Sequence, residues 1–144
     1  MPWMVSIVNK NLPDVAHCSG SLVAPKYIIT AAHCFKHLPK QAFEVVLGSD
    51  NLSQSPNNYQ TYQRKFNIHK LHQHPDYNGK YHFDAAIIEL EDEVTYSRGI
   101  FPICLPETET PTNNRVGLSV SLAGFGSTGY LNYILIIQYK PIIF

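Results

Sequence analysis

The amino-acid sequence predicts an all-β fold, either a barrel or a sandwich made of many short strands. Its apolar runs are short and rich in β-branched and aromatic residues, and clusters of Pro, Gly, Asn and Asp separate them. Hydrophobic residues make up 44% of the 144 residues and charged residues only 15%, a composition that excludes a disordered chain. This length suits one domain, or one half of a larger two-part domain. It is enough to bury about 70% of the unfolded surface in a real core.

The strand signals follow one another at short intervals along the chain. Strands are predicted at residues 3–8, 21–23, 26–30, 43–47, 60–68 and 85–90. Turn-forming residues lie between them, at 11–14, 24–25, 56–58 and 76–79. The last predicted strand is mostly apolar and should be buried. One short helical turn is predicted at residues 30–33.

The last third of the chain has a different character. Residues 106–114 are polar, contain two prolines and are typical of a connector. Residues 116–139 contain no charged side chain, and residues 130–144 have the composition of an aggregation-prone strand. We therefore divide the chain into a domain at 1–128 and an apolar tail of unclear origin at 129–144. Deleting the tail should raise solubility.

Charge and hydropathy exclude several classes of function. Eleven basic and eleven acidic residues give a net charge of zero with no basic cluster, which argues against nucleic-acid binding. No apolar run reaches the roughly 20 residues that a membrane helix needs. Residues 1–6 do not have the form of a secretory signal. If the domain is of a secreted type, we expect the sequence to begin inside it.

The strongest motif is a cysteine followed, after a predicted strand, by a small-residue turn that ends in His-Cys. Residues 18–22 read Cys-Ser-Gly-Ser-Leu, and residues 28–34 read Ile-Ile-Thr-Ala-Ala-His-Cys. A bridge from Cys18 to Cys34 would join two strand ends and hold the backbone beside His33. Such rigid support is what a general base requires. The alternative is a purely structural disulfide next to a histidine that has no catalytic role.

Further motifs in the same order make the chain resemble the trypsin/chymotrypsin family of serine endopeptidases. Residues 2–7 look like the family's early Pro-Trp-x-Val-Ser strand, and residues 30–34 match its catalytic-histidine motif residue for residue. Residues 83–90, Phe-Asp-Ala-Ala-Ile-Ile-Glu-Leu, look like its catalytic-aspartate strand. Residues 102–106 and 123–128 resemble the segments that lead into the second barrel. The resemblance covers about residues 2–128.

The resemblance implies a Greek-key antiparallel β-barrel over about residues 2–107, the first barrel of a double barrel. It implies that His33 is the general base, that Asp84 orients it, and that Cys18 pairs with Cys34 while Cys104 stays unpaired. It further implies proteolysis through an acyl-enzyme, protein or peptide substrates, protease inhibitors as partners, no cofactor and no metal. An extracellular location follows from the disulfide. No membrane or nucleic-acid partner is expected.

The sequence also departs from the family pattern. It has no Gly-Asp-Ser-Gly-Gly motif for the nucleophilic serine and no Ile-Val-Gly-Gly-like start, and we expect the second barrel to be absent. Ser127 is not in a Gly-x-Ser-x-Gly elbow because Phe125 interrupts that pattern. We therefore expect a fragment that is inactive on its own. The alternative is a protease-like binding protein that has lost catalysis.

Three weaker features are also candidate sites. The histidines at 69, 72 and 74 could bind zinc, but they resemble a solvated loop of the family, which we prefer. Ser49 replaces the glutamate that binds calcium in some relatives, so no calcium is expected. Asn51-Leu52-Ser53 is a glycosylation sequon on a predicted loop.

Overall fold

The computed structural model describes residues 1–49, 62–80, 82–106, 119–120, 123–127, 133–136 and 142–143. The strands are β1 (Met4–Asn9), β2 (Leu12–Ala24), β3 (Tyr27–Thr30), β4 (Phe43–Leu47), β5 (Arg64–Gln73), β6 (Ala86–Leu90), β7 (Ser119–Val120), β8 (Gly124–Ser127), β9 (Tyr133–Ile136) and β10 (Ile142–Ile143). Two single-turn 3₁₀ helices, η1 (Ala32–Phe35) and η2 (Lys40–Ala42), lie between β3 and β4.

Strands β1 to β6 form a closed antiparallel barrel. Their order around the barrel is β1-β2-β3-β6-β5-β4, and β4 pairs with β1 to complete the ring. The first three strands are consecutive neighbours, and the fourth returns to lie beside the first, which is a Greek-key arrangement. Closure leaves none of the six strands with an unpaired edge. The all-β Greek-key barrel predicted from the sequence is confirmed.

Alternation along the strands explains why these segments pair as they do. In β6, Ala86, Ile88 and Leu90 are buried, whereas Ile87 is exposed. In β3, Ile28 is likewise fully buried between two exposed neighbours. Side chains on a strand point alternately to its two faces, so each strand sends one set inward. The largest fully buried side chains that fill the interior are Phe43, Ile7, Leu22, Ile28, Leu47, Ile88 and Leu90.

Several predicted boundaries were wrong, and the strand predicted at residues 21–23 begins nine residues earlier, at Leu12. The turn predicted at residues 11–14 is shorter, because β2 begins at Leu12, and register shifts in its pairing with β1 accommodate the extra residues there. The helical turn lies at Ala32–Phe35, two residues later than predicted. Strand β5 spans Arg64–Gln73, so His69 and His72 lie in a strand and not in a solvated loop.

The chain after β6 returns along the barrel. The amide of Phe101 donates to the carbonyl of Pro2 at 3.0 Å, and the amide of Ile103 donates to the carbonyl of Leu22 at 2.9 Å. Beyond the barrel, β8 pairs with β9 and β7 pairs with β10 as two-stranded sheets. None of the helices in the described ranges is long and apolar enough to span a bilayer.

Candidate active site

Pairing between β3 and β6 brings together residues that are 51 positions apart in the sequence. The register pairs Thr30, the last residue of β3, with Ala86, the first residue of β6. The chain leaving β3 and the chain entering β6 therefore lie at the same end of the barrel. His33 follows in η1, and Asp84 lies just before β6. The barrel topology thus places these two predicted site residues side by side.

The Asp84 carboxylate makes two hydrogen bonds to His33. Oδ2 lies 2.6 Å from the ring Nδ1, and Oδ1 accepts the backbone N–H at 2.8 Å. An ionised carboxylate can only accept, so Nδ1 carries a proton and the neutral ring keeps its lone pair on Nε2. The side-chain hydrogen bond first, and the backbone hydrogen bond second, hold the pKa of Asp84 below its ordinary value. Asp84 is therefore ionised at neutral pH.

The other nitrogen of the His33 ring is open to reactants. The His33 side chain is 58% exposed, whereas that of Asp84 is 23% exposed. The contact of Nε2 with the described residues is Cys34 Sγ at 3.9 Å, and a disulfide sulfur carries no proton to donate. Nε2 can therefore accept a proton from a group that enters the cleft.

The structure contains the disulfide between Cys18 and Cys34, as the family resemblance implied. The two Cα atoms are 6.1 Å apart, and the bridge joins β2 to η1 directly beside His33. The ring of His17 donates its Nε2–H to the Cys34 carbonyl at 2.9 Å and adds a second tie. Cys104 is exposed and takes part in no disulfide within the described residues.

The backbone turns sharply where it reaches Asp84. Phe83 has φ = 54°, a left-handed conformation that is uncommon for a bulky residue and costs on the order of 1 kcal/mol. The amide of Ala85 donates to the Phe83 carbonyl at 2.7 Å and closes this turn. The Phe83 ring stacks on His74, with centroids 4.8 Å apart and planes 13° from parallel. This stack supports the conformation that directs Asp84 toward His33.

Tyr77 is a neighbour of the site that sequence reasoning missed. Its hydroxyl oxygen is buried and has no hydrogen-bonding partner among the described residues. Burial, and then the charge of Asp84, raise the pKa of Tyr77. The available signal was the stretch from His74 to Tyr77, which we interpreted only as a turn. This turn therefore also carries a phenol whose pKa the charge of Asp84 helps to raise.

Two cavities have His33 in their lining. The larger, about 640 Å³, is lined by His33, Lys36, Gly79, Lys80 and Asp84. The smaller, about 260 Å³, is lined by His17, Cys18, His33, Cys34, Lys36, His37, Leu38 and Phe43. The larger cavity falls within the usual size of ligand sites. Sequence reasoning did not identify either lysine, because the contact between their segments is tertiary.

Two of the three histidines considered as zinc ligands, His72 and His74, are engaged in different contacts. His72 Nε2 lies 3.0 Å from Glu89 Oε2, on the outer face of the barrel. His74 stacks on Phe83 and accepts the Asp76 amide N–H at 3.2 Å. In the described ranges, the three potential metal ligands that lie within 4.8 Å of one another are Cys18, His33 and Cys34. The two sulfurs of that group are bonded to each other and are not free thiolates.

Several sequence predictions fall on residues that the structure does not describe, among them the turn at 56–58 and most of the connector at 106–114 and of the tail at 129–144. The sequon residue Asn51 and most of the loop considered for calcium lie within residues 50–61, outside the described ranges. The glycosylation of Asn51 and the absence of a calcium site therefore stay predictions. The family roles of His33 and Asp84 are also predictions, which the geometry above makes concrete.

Comparison with known proteins finds one matching family model and several similar proteins. The family model described as Trypsin matches residues 1–142. The chain is 37% identical over 122 residues to CLIP domain-containing serine protease B4 of Anopheles gambiae, which covers 78% of this chain and 34% of that protein. It is 32% identical over 132 residues to the clotting factor G beta subunit of Tachypleus tridentatus, a match that covers 89% of this chain and 40% of that protein. It is 34% identical over 136 residues to the venom protease of Bombus pensylvanicus, a match that covers 90% of this chain and 54% of that protein. The chain thus spans about a third to just over half the length of these relatives, and the matched range extends past residue 128.

Proposed function

Because this chain belongs to the trypsin family, we propose that it supplies the histidine–aspartate half of a serine endopeptidase site. His33 acts as the general base and Asp84 as the group that orients it. The observation that carries this proposal is the 2.6 Å contact between Nδ1 and Oδ2, with Nε2 left open to the cleft. The serine proteases among its relatives support a protease function at this coarse level.

Each residue has a defined task in proteolysis. Asp84 accepts the Nδ1–H of His33 and so keeps the lone pair at Nε2. Nε2 then takes the proton of an attacking serine hydroxyl and returns it to the leaving amine of the peptide. The Asp84 carboxylate also stabilises the imidazolium that forms in between. This Ser-His-Asp scheme is best known from the same family, and it carries over to this chain by membership.

The nucleophile must come from outside these 144 residues. The sequence contains no Gly-Asp-Ser-Gly-Gly motif, and a base without a nucleophile has nothing to activate. Oxyanion donors contribute about 10²–10³ in rate, and they too would have to be supplied with the serine. We therefore propose that the 144-residue chain is inactive alone and becomes part of an endopeptidase when joined to the serine-bearing half.

The setting of this activity is extracellular in our proposal. A disulfide persists in oxidising compartments and is rare in the cytosol, and Cys18–Cys34 lies directly at the site. The partners that suit a protease cleft are protein substrates and protease inhibitors. No nucleic acid, membrane or cofactor has a role in the scheme.

An active-site fluorophosphonate tests the proposal. The 144-residue chain should stay unlabelled, whereas a longer form that carries a Gly-Asp-Ser-Gly-Gly motif and a processed N-terminus should be labelled stoichiometrically. In the longer form, His33→Ala should abolish labelling and His72→Ala should leave it unchanged, since both histidines face a carboxylate but only His33 borders the cleft. Labelling of the short chain would mean that one of its own serines is a nucleophile and would overturn the proposal.

The alternative is a protease-like binding protein without catalysis, and the lack of the serine motif is the observation that favours it. If this alternative is correct, any natural form of the protein that is longer than 144 residues also lacks the motif. Sequencing the transcript downstream of residue 144 distinguishes the two. A Gly-Asp-Ser-Gly stretch supports the endopeptidase, and a stop codon at that point supports the binding protein.

A further inference from the structure

We propose that the larger cavity beside His33 binds an acidic side chain of the substrate peptide through Lys36 and Lys80. This inference rests on the proposed function, since it names the substrate class of the same cleft. It adds a preference that the catalytic pair by itself does not contain.

The cavity has the size and position of a side-chain subsite. Its volume is about 640 Å³, and its lining joins both members of the His33–Asp84 pair to the lysines at 36 and 80. In our proposal, a peptide whose scissile bond lies at His33 Nε2 places a neighbouring side chain in this cavity, beside these lysines. The charge of that residue then lies within about one Debye length, roughly 10 Å, of both ammonium groups.

The positive charge of the lysines is not neutralised by the protein. Lys36 Nζ donates to the Gly79 carbonyl at 3.0 Å, which is a neutral acceptor. In the part of the chain that the structure describes, neither lysine forms a salt bridge. Among the described residues of the lining, Asp84 supplies the carboxylate, and it is already hydrogen-bonded to His33. A carboxylate that enters the cavity thus meets two ammonium groups and the Asp84 carboxylate, which is already hydrogen-bonded to His33.

The loop that carries Lys80 has a defined shape. Gly79 has φ = 78°, a conformation that a side chain would strain although a Cβ there would meet no atom within 4 Å. The Lys80 amide donates to Asn78 Oδ1 at 3.0 Å and fixes the turn. With the Lys36–Gly79 contact, this turn joins the segment after η1 to the segment before Asp84. The two ammonium groups are therefore presented from one linked surface.

The second cavity that borders His33 has a more apolar lining. Besides histidines and Lys36, it is lined by the Cys18–Cys34 disulfide, Leu38 and Phe43, which suit an apolar side chain. An acidic residue should therefore be favoured most in the cavity that Lys80 borders. Lys36 borders both cavities, whereas Lys80 borders the larger one, so Lys80 is the more selective of the two.

Paired peptides test this inference on the 144-residue chain without requiring catalysis. Two hexapeptides that differ only by glutamate against glutamine are titrated into the chain, and the backbone amide NMR signals of Gly79, Lys80 and Asp84 are followed. At low salt the glutamate peptide should bind about fivefold more tightly, because two exposed ion pairs contribute modestly. The preference should fall to about twofold in K80Q, vanish in the K36Q/K80Q double variant and shrink at high salt.

The matched control is Lys26→Gln. Lys26 lies in the β2–β3 turn, at the opposite end of β3 from His33, and its Nζ donates to the Glu91 carbonyl. This variant should keep the full preference.

Equal binding of the two peptides, no binding of either at millimolar concentration, or a preference that survives the double variant would overturn the inference. A longer form that cleaves peptides without regard to glutamate would overturn the inference while leaving the proposed function intact. Conversely, a glutamate preference with no fluorophosphonate labelling of any longer form would overturn the endopeptidase alone.

Discussion

Among the described residues, two histidine–carboxylate pairs lie within hydrogen-bond distance, and on simple criteria these two are alike. His33 Nδ1 lies 2.6 Å from Asp84, and His72 Nε2 lies 3.0 Å from Glu89. The histidines are 58% and 42% exposed, and the carboxylates 23% and 25%. In both pairs the hydrogen bond from the histidine is the main cause that lowers the pKa of the carboxylate. The two pairs are therefore not distinguished by the distance between histidine and carboxylate or by the direction of the carboxylate pKa shift.

The surroundings of the two pairs differ in three ways. Asp84 also accepts the backbone N–H of His33, so the carboxylate holds the main chain as well as the ring. The Cys18–Cys34 disulfide lies next to His33, and two cavities border the His33 side chain. His72 and Glu89 instead lie on the outer face of neighbouring strands, and His72 engages the nitrogen that His33 leaves open. Backbone anchoring and an adjoining cleft, more than the pair itself, make His33 a candidate for catalysis.

Removing the carboxylates from each pair should produce the largest contrast. In a catalytically complete form, Asp84→Asn should lower kcat about 10⁴-fold, the size found for the same change in the best-studied member of the family. Glu89→Gln should change kcat less than about twofold, because Glu89 lies in another part of the barrel surface. Steady-state cleavage of a peptide substrate measures both. Equal losses in the two variants would mean that the difference between the pairs has no functional meaning.

Removing the disulfide should have the next largest effect, and on one pair only. A C18A/C34A variant should lose about 3 kcal/mol of unfolding free energy, since the bridge closes a loop of 16 positions. Urea denaturation measures the loss, and Cys104→Ala is the matched control with an expected change within about 0.5 kcal/mol. The His33 ring signals should change in NMR spectra of the double variant while those of His72 stay in place. Equal perturbation of both rings would contradict a local role for the bridge.

Lowering the pH should reveal a smaller difference between the pairs, in how much each carboxylate stabilises the fold. Both carboxylates have a folded-state pKa below the unfolded values of about 3.9 for Asp and 4.3 for Glu. Their stabilisation is therefore present above those unfolded values and is lost as the pH falls through the folded ones. Asp84→Asn and Glu89→Gln should lower Tm at pH 7, and both gaps should close between about pH 5 and pH 2. The gap should be larger for Asp84, which accepts two hydrogen bonds from His33.

Thermal melts of the wild type and the two variants at about pH 7, 5, 4 and 3 measure these gaps. A gap for Asp84→Asn that stays constant down to the lowest pH would show that the substitution acts through packing and not through the charge of the carboxylate.

The docking of the segment beyond the barrel should have the smallest effect. Ser19 Oγ accepts the Phe125 amide at 2.7 Å and donates to the Phe125 carbonyl at 3.3 Å, which ties β8 to β2. Ser19→Ala should cost about 1 kcal/mol. It should also speed amide hydrogen exchange at Phe125 about fivefold, with His33 and His72 unaffected. Unchanged exchange at Phe125 would show that other contacts hold β8 against the barrel.

Much of the barrel was predictable because its signals are local. The apolar run at residues 85–90 indicates a buried strand, of which the structure buries one face, and Ala24-Pro25 indicates the turn between β2 and β3. Register was less predictable. A polar run such as residues 69–73 has no apolar alternation to mark it as strand, and its pairing with β6 stabilises it there. The strand therefore extends five residues past the predicted end.

By itself, the sequence determined which residue types are available and what chemistry they share with a family. The motif at residues 30–34 and the Phe-Asp start of residues 83–90 are enough to name His33 and Asp84 as partners. Only the tertiary structure decided that the His33 main chain also binds Asp84, that Phe83 takes a left-handed turn, and that Lys80 shares a cavity with the pair. The physical reason is the separation along the sequence over which each kind of interaction acts. Strand and turn preferences act over a few residues, whereas the His33–Asp84 contact joins segments 51 positions apart and exists only after the Thr30–Ala86 register closes the barrel.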